Sequence, residues 1–335
     1  MENSTTSPNV TGFPIDASLV PWAHSGVNLY LIQAMSITCF SLTCIIGTVG
    51  NGLVIWITGF KMRKTMTTTW FLNLGIADFS FCLFLPLYIT EVAMWGNWPF
   101  GQIMCKVTYF TRYLNLCTSV LLLTAISIDR CVCVMCPIWS RNHRTSRSAA
   151  IISAIIWFFS MAAGSPLICF SNILYYRNFS ECSLTYEAWE NIIDYETYSV
   201  IMIAFGITTF VLYFLIPFLF ITICYGLIAF KVFKSKRIPG SARTLKMIIT
   251  TAFCFFFCWF LLYLLCIIEI AGPNIMRHHL EMTLYTLAQC LAFFNSCLNP
   301  IIYVFTGRDY KQILKKSIPF LLESAFIEKR EPAHI

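Results

Sequence analysis

The chain has 335 residues, of which 58% are hydrophobic and 12% are charged, and this composition excludes an ordinary soluble domain, in which about 25% of residues are charged. The net charge of +7 does not indicate a nucleic-acid partner, because no basic patch is interleaved with aromatic residues. Several apolar runs of about 20 residues are long enough to cross a bilayer as helices. The composition therefore predicts a polytopic protein surrounded by membrane lipids.

The amino-terminal segment, residues 1–27, is predicted to be an extracellular tail. It contains no Lys or Arg and no apolar core of a cleavable signal peptide. Glycosylation sequons begin at Asn3 and Asn9, and a third begins at Asn178 in a later loop. Because such sites are typical of extracellular segments, all three agree with an amino terminus outside the cell.

The apolar runs predict an all-α bundle of seven transmembrane helices within residues 28–306. Their approximate bounds are residues 29–60, 67–94, 102–135, 148–170, 198–233, 245–271 and 281–305. In this topology 19 of the 23 Lys and Arg residues lie on the side away from the amino terminus, which is the positive-inside pattern of a plasma-membrane protein. Residues 307–335 have basic and apolar faces at helical spacing, which predicts a short amphipathic eighth helix on the inner surface, followed by a cytoplasmic tail.

Cysteine usage agrees with this topology. Most of the 16 Cys residues lie inside the predicted spans, where thiols behave as small apolar groups. Cys105, at the top of span three, and Cys182, in the long loop after span four, lie at the outer face. An oxidising exterior favours a disulfide between them, which would tether an acidic loop over the mouth of the bundle; two free thiols are the alternative.

Five polar residues at similar depth form a candidate cation site in spans two, three and seven: Asp78, Asn115, Ser119, Asn295 and Asn299. Polar groups inside a membrane face the bundle interior and find partners or water. They either hold a hydrated monovalent cation or bond only to one another, and spacing alone leaves both interpretations open. All five His residues are expected outside the spans, so zinc or nucleophile chemistry is not predicted and the chain is not expected to be an enzyme.

Arg112 lies seven residues after Cys105, which is about 10 Å deeper along a helix. A guanidinium at that depth requires an anion. Glu91, Glu269 and Glu281 are internal candidates near the same end of the bundle, and a ligand carboxylate is the external one. Both interpretations hold together if a ligand displaces an internal partner.

The end of span three carries Asp129 and Arg130. Such a pair is costly at the end of a hydrocarbon-length helix unless the charges pair or reach the interface. A helix end whose charged side chains extend to the interface is the simple interpretation, and a functional switch is the other.

Together these residues resemble the class A, rhodopsin-like G-protein-coupled receptors over about residues 28–320. Each mark is weak alone, but their order and depth are specific. The marks are Gly50-Asn51, LNLGIAD ending at Asp78, Trp98-Pro99-Phe100-Gly101, Cys105, Asp129-Arg130-Cys131, Trp157, Pro217, Tyr225, Cys258-Trp259 and Asn299-Pro300-Ile301-Ile302-Tyr303.

Within that class the chain is similar to the leukocyte chemoattractant cluster of formyl-peptide and chemerin receptors. The similar stretches are GNGLVIWITGFKMRKTMTTTWFLNLGIADFSF, DRCVCVMCPIWSRNHRT and LAFFNSCLNPIIYVFTGRDY. This resemblance implies a receptor for an extracellular chemoattractant peptide or lipid mediator, signalling through Gi-class heterotrimeric G proteins in chemotaxis and inflammation. The Asp78 network would then be a sodium site that favours the inactive state.

The resemblance also implies roles for individual residues. The residues expected to bind ligand are Glu91, Arg112, Tyr113, Thr209, Glu269 and Tyr285. The residues expected to switch during activation are Val120, Asp129, Arg130, Pro217, Tyr225, Phe255, Trp259, Asn299, Pro300 and Tyr303. In the implied mechanism Trp259 and Phe255 shift, the two tyrosines swing inward, and Arg130 leaves Asp129 to contact a Gα subunit.

The chain departs from the family pattern at several positions. Leu261 stands where span six usually has a proline, so this helix should be straighter and its outward swing harder. Phe205 and Thr209 replace a pair of arginines of formyl-peptide receptors, so recognition of formyl-methionine is not expected. After Gly307 the tail has only Ser317 and Ser324 as Ser or Thr residues, which argues against phosphorylation-driven arrestin binding.

Other classes of function are distinguished by single features. A decoy receptor that captures its mediator with weak G-protein coupling is the main alternative, because of Leu261 and the sparse tail. A transporter or channel is disfavoured because no internal repeat is visible. A retinal protein would need a lysine in span seven, where residues 281–306 have none, and an amine receptor would need an aspartate in place of Arg112.

Overall fold

The computed structural model describes residues 26–176, 179–186, 190, 192–235, 242–271 and 278–306. The predicted glycosylation sites Asn3, Asn9 and Asn178 lie outside these ranges, as does the predicted amphipathic helix after Gly307.

Seven long helical segments of the described chain form a bundle, and they begin and end within a few residues of the predicted spans. The all-α membrane fold is therefore confirmed. Span one is α1 (Gly26–Trp56) with a π-helical turn (Ile57–Lys61), span two is α2 (Met66–Ala93), span three is α3 (Gly101–Met135), span four is α5 (Ser146–Phe170), span five is α6 (Tyr195–Phe210), a π-helical turn (Val211–Leu215) and α7 (Ile216–Ser235), span six is α8 (Ala242–Ala271), and span seven is α9 (His278–Thr306). A short helix, α4 (Pro137–His143), lies between spans three and four.

Length and hydropathy agree with membrane insertion. Five helical stretches of described residues are long and apolar enough to cross a bilayer: Leu29–Lys61, Met66–Ala93, Gly101–Met135, Ser146–Phe170 and Tyr195–Lys234. Span six contributes a shorter apolar helix, Ile249–Leu265. Helices α8 and α9, with 30 and 29 residues, are long enough to span hydrocarbon at 1.5 Å per residue.

Three spans begin at residues whose side chains cap the first helical turn. The Thr65 hydroxyl accepts the Thr68 N–H at 3.2 Å, while the Thr68 hydroxyl accepts the Thr65 N–H at 2.8 Å, which is a capping box. Thr145 starts α5 by accepting the N–H of Ser148. Asp194 starts α6 by accepting from Thr197, and these hydrogen bonds lower the pKa of the Asp194 carboxyl. Such caps satisfy backbone donors that a helix start leaves unpaired.

The loop after span four folds into an antiparallel hairpin of β1 (Ser171–Tyr176) and β2 (Phe179–Leu184), which the sequence had not predicted. The sulfur atoms of Cys105 and Cys182 lie 2.00 Å apart, at the length of a disulfide bond. Gln102 adds two contacts with β1, donating to the Asn172 side chain at 2.7 Å and accepting the Ile173 N–H at 3.0 Å. The hairpin is thereby held on the amino-terminal end of span three.

Spans one and seven approach closely at Gly50. A Cβ added to Gly50 would lie 2.7 Å from the Cγ and 2.9 Å from the Cβ of Pro300, which is too short for two carbon atoms. Nearby, the Asn51 amide donates to the Ser296 carbonyl at 2.8 Å and to the Gly47 carbonyl at 2.9 Å. Gly50 lets span one approach Pro300 closely, and Asn51 bonds to span seven one turn earlier, at Ser296. Together they position the carboxyl-terminal half of span seven.

We expect Gly50→Ala to lower the free energy of unfolding by about 1–3 kcal/mol, because the new methyl group must push the rigid Pro300 ring away. Thermal unfolding of the detergent-solubilised protein would measure the change. Gly52→Ala is the matched control, since its Cβ would meet Phe79 only at 3.5 Å or beyond, and alanine favours a helix over glycine. An equal loss in both variants would contradict the close-contact explanation.

Candidate functional site

Described residues line two cavities in the half of the bundle that carries the hairpin. The span-two cavity, about 400 Å³, lies among spans one, two, three and seven and is lined by Gln33, Glu91 and Trp95 among others. The span-five cavity, about 440 Å³, lies among spans three to seven and is lined by Phe205, Thr209 and Trp259 among others. Each volume falls within the usual range of small-molecule sites.

The two cavities share part of their wall. Tyr109, Arg112 and Gln289 line both, so the guanidinium of Arg112 lies at the junction. It stacks over the Tyr109 ring at 5.0 Å, which is within the range of a cation–π interaction. The structure thus places Arg112 in the wall of both cavities, and its role in ligand binding stays a prediction.

Glu91 lines the span-two cavity but does not form a salt bridge with Arg112. Within the described residues, the ion pairs with an N···O distance of 4.0 Å or less all involve Asp129. The carboxylate of Glu91 and the guanidinium of Arg112 therefore face the cavities without a direct ionic partner among these residues. The side chains of the other predicted internal partners, Glu269 and Glu281, lie outside the described part.

Tyr113 and Thr209 close the side of the span-five cavity between spans three and five. Their hydroxyls share a hydrogen bond of 2.9 Å. Because Thr209 donates to the Phe205 carbonyl at 2.7 Å, Tyr113 is the donor in the pair. The Tyr113 ring also packs on Phe205, with ring centroids 5.2 Å apart. Tyr285 lines the same cavity from span seven, so these predicted ligand-binding residues converge.

The predicted cation site is brought together around Asp78, which is fully buried. Its Oδ1 accepts from the Asn115 amide at 3.0 Å and from the Ser119 hydroxyl at 3.4 Å. Its Oδ2 accepts from the Asn299 amide at 2.6 Å. Asn295 is buried on span seven one turn before Asn299. Charge-assisted hydrogen bonds of this kind satisfy a carboxylate inside a bundle.

The predicted switch residues below the span-five cavity are buried together. Val120, Phe255 and Trp259 belong to the same apolar core, and the Phe255 and Trp259 ring centroids are 6.1 Å apart. Trp259 forms part of the lining of the span-five cavity, so a ligand there would touch this core directly. Pro217 is buried on span five. The movement of these residues on activation stays a prediction.

At the end of the bundle that carries Asp129 and Arg130, Tyr225 of span five contacts span three. Its hydroxyl accepts a hydrogen bond from Ser127 at 3.2 Å, which links spans five and three close to Arg130. Pro300 lies inside α9, against Gly50. The side chain of Tyr303, which is predicted to swing inward on activation, lies outside the described part.

The closest partner of Asp129 is Arg144, which the sequence interpretation missed. Arg144 donates from Nε to Oδ1 at 2.7 Å and from Nη2 to Oδ2 at 2.8 Å, which is a bidentate pair. Arg130 lies farther away, with Nε 3.7 Å from Oδ2. The Thr67 hydroxyl accepts from both arginines. The expected Asp129–Arg130 pairing is therefore present but secondary.

Comparison with known proteins decides the family. Residues 50–303 match the family described as 7 transmembrane receptor (rhodopsin family). Formyl peptide receptor-related sequence 1 of Mus musculus is 37% identical over 92% of this chain and 92% of its own length. N-formyl peptide receptor 2 of Homo sapiens is 35% identical over 93% of this chain and 91% of its own length. The chain belongs to the formyl peptide receptor family of rhodopsin-like receptors.

Membership in this family confirms several expectations from the sequence. The receptor is a multi-pass membrane protein and not an enzyme, and its family implies an extracellular ligand and a G protein as partners. The similarity to these relatives covers more than nine-tenths of the chain, and the family match over residues 50–303 includes Arg112, Asp129 and Arg144.

Two features of the receptor site were not visible in the sequence. The pair Asp129–Arg144 joins residues 15 positions apart across a helix end and α4. The shared wall at Arg112 depends on which faces of spans two, three and seven turn toward one another. The only sequence signal for the Asp129–Arg144 pair was Arg144 itself, a basic residue without an assigned role in DRCVCVMCPIWSRNHRT, a stretch similar to the chemoattractant receptors.

Proposed function

We propose that this receptor binds an extracellular chemoattractant-type peptide or lipid mediator and activates Gi-class heterotrimeric G proteins. The observation that carries the proposal is Arg112, whose guanidinium lies at the junction of two cavities and has no ion pair with a described side chain; Trp259 lines one of these cavities. A ligand anion at Arg112 lies above the buried core of Val120, Phe255 and Trp259, through which binding shifts the population toward the active state. The relatives named as formyl peptide receptors support the class of ligand.

The orientation that we propose places the amino terminus and the hairpin outside the cell. The positive-inside distribution of Lys and Arg supports it, as do the sequons at Asn3, Asn9 and Asn178. In this orientation Arg144, Asp129 and Arg130 face the cytoplasm, where a G protein binds. An epitope tag before residue 1 should be stained on intact cells, and a tag after residue 335 only on permeabilised cells.

The coupling is tested by a G-protein dissociation sensor in cells that express the receptor, using a panel of chemoattractant peptides and lipid mediators. Surface binding of the same ligands is measured in parallel. A response that is abolished by pertussis toxin supports Gi coupling. Saturable binding without G-protein activation supports the decoy alternative, and Leu261→Pro is then the first variant to test, because α8 is continuous over Ala242–Ala271 without proline.

We also propose that the Asp78 site binds a sodium ion that favours the inactive state. The donor set fits: the Asp78 carboxylate with the side-chain oxygens of Asn115, Ser119 and Asn295 suits a hard cation, and a buried carboxylate favours a positive partner. The ion would replace hydrogen bonds that Asn115 and Asn299 now donate to Asp78.

We expect 150 mM NaCl to raise the unfolding temperature of the purified receptor relative to equal choline chloride, and Asp78→Asn to remove this difference because the neutral amide no longer attracts the ion. Asn73→Ala is the matched control, since Asn73 lies on the same helix but accepts from Trp157 at 3.1 Å, away from Asp78. This control should be less stable and keep its sodium response. A wild-type receptor with equal unfolding temperatures in both salts would reject the sodium site.

A further inference from the structure

The junction at Arg112 has the shape of a branch point. The span-two and span-five cavities meet at Arg112, Tyr109 and Gln289. A group bound to Arg112 therefore has one cavity on each side of it. A single unbranched chain that ends in an anion, such as a fatty acid, fills only one of the two cavities.

The two cavities differ in chemistry. The span-five cavity has mainly apolar walls between Arg112 and Trp259, formed by Leu116, Leu167, Leu184, Phe205, Leu262 and Phe293. The span-two cavity is more polar and includes Gln33, Ser36, Glu91, Thr108 and Thr286. One branch of the ligand must therefore be apolar, and the other must offer polar groups.

The charges add a second constraint. Arg112 and Glu91 both line the span-two cavity and attract one another across it, but no hydrogen bond or ion pair of 4.0 Å or less joins either of them to a described side chain. Charged groups at membrane depth require a compensating partner. A ligand that carries an anion for Arg112 and a cation for Glu91 compensates both at once. Two exposed acids, Glu190 before α6 and Glu196 in its first turn, would attract the same cationic ligand during encounter.

We propose, on the basis of the proposed receptor function, that the ligand is the carboxyl-terminal end of a peptide, with its free carboxylate on Arg112, an apolar terminal side chain in the span-five cavity and a basic residue beside Glu91 in the span-two cavity. The α-carbon of a terminal residue carries these three branches: a carboxylate, a side chain and the preceding main chain. The terminal side chain then contacts Trp259, which connects recognition with the switch core.

The test uses synthetic hexapeptide pools and the unfolding temperature of the purified, full-length receptor, a readout that requires no G protein. The first pool has a free carboxyl terminus, Leu, Phe or Trp as its last residue and Lys or Arg at the two preceding positions. Three other pools change one feature each: a terminal amide, Asp or Glu in place of the basic residues, or Ser as the last residue. Dodecanoate serves as the lipid probe, and free leucine as the single amino acid.

We expect only the first pool to raise the unfolding temperature, because a ligand stabilises the folded state according to its concentration and affinity. Arg112→Gln should weaken binding of this pool roughly 30-fold or more, since a buried charge pair is lost. Glu91→Gln should reduce the preference for basic over acidic peptides and keep the preference for a free carboxylate. Lys106→Gln, on the same span but lining neither cavity, is the matched control and should bind as the wild type does.

Several results would overturn the inference. These are equal binding of the amide pool, stabilisation by dodecanoate or free leucine but not by peptides, an equal loss in the Lys106→Gln control, or no shift with any pool. Binding of the first pool without Gi activation would leave the inference intact and reject the proposed coupling. Gi activation by other mediators, with no peptide pool bound, would support the proposed coupling and reject the inference about the peptide carboxyl terminus.

Discussion

Arg144→Ala is expected to lower ligand-independent G-protein activation, whereas Asp129→Asn is expected to raise it several-fold. In the structure Arg144 donates two hydrogen bonds of 2.7 and 2.8 Å to the Asp129 carboxylate. Arg130 lies farther away, with its Nε 3.7 Å from Oδ2 of Asp129. Without Arg144, the nearly buried carboxylate has Arg130 as its remaining ionic partner, and the two should draw together because an unpaired buried charge is costly. Arg130 is then less available to a G protein.

Asp129→Asn has the opposite effect because it removes the charge that restrains both arginines. The measurement is basal activation by a G-protein dissociation sensor at matched surface expression. Arg141→Ala is the matched control, since Arg141 is an exposed basic residue of α4, the helix that ends immediately before Arg144, and it should leave basal activation unchanged.

A double-mutant cycle tests whether Arg144 acts through Asp129. The variant Asp129→Asn/Arg144→Ala should behave like Asp129→Asn alone, with a coupling energy on the order of 1–3 kcal/mol between the two positions. If Arg144→Ala raised basal activation to the level of Asp129→Asn, the carboxylate would not compete for the two arginines. Additive effects in the double variant would show that Arg144 acts on the G protein directly.

Cys105→Ser, Cys182→Ser and the double variant are expected to lose about 4.5 kcal/mol of stability each, together with most of their surface expression. The bridge closes a loop with a sequence separation of 77 residues, and the chain-entropy estimate for a loop of that length is about 4.5 kcal/mol. The hairpin would retain Gln102 and the Trp98–Ser180 backbone hydrogen bond of 2.7 Å, which hold it more weakly than the covalent bond.

The unfolding temperature and surface immunostaining would measure this loss. Because the two sulfurs form one bond, the double variant should lose no more stability than either single variant. Cys136→Ser, at an exposed thiol that forms no disulfide, is the matched control and should match the wild type. Wild-type stability in either single variant, or a cumulative loss in the double variant, would show that the two cysteines stabilise the outer face separately.

The sequence by itself determined the architecture and the family of this receptor. Hydropathy is a local property, so runs such as residues 102–135 predicted α3 (Gly101–Met135) almost to the residue. The family marks are also local: Asp78, Trp98 and Asn299 could each be recognised from their neighbours in the chain. Their depth followed from the 1.5 Å rise per residue of a helix, which is why the Asp78 cluster was predicted and is found together.

Only the tertiary structure decided which side chains meet. The hydrogen bond of Tyr113 with Thr209 joins residues 96 positions apart, and it depends on the rotation of spans three and five about their axes. Hydropathy does not specify that rotation when a helix is apolar on most faces, because lipid and bundle interior are both apolar. For the same reason the sequence did not predict that Asp129 pairs with Arg144 more closely than with Arg130, or that two cavities meet at Arg112. Both features depend on packing between helices, which the local sequence does not encode.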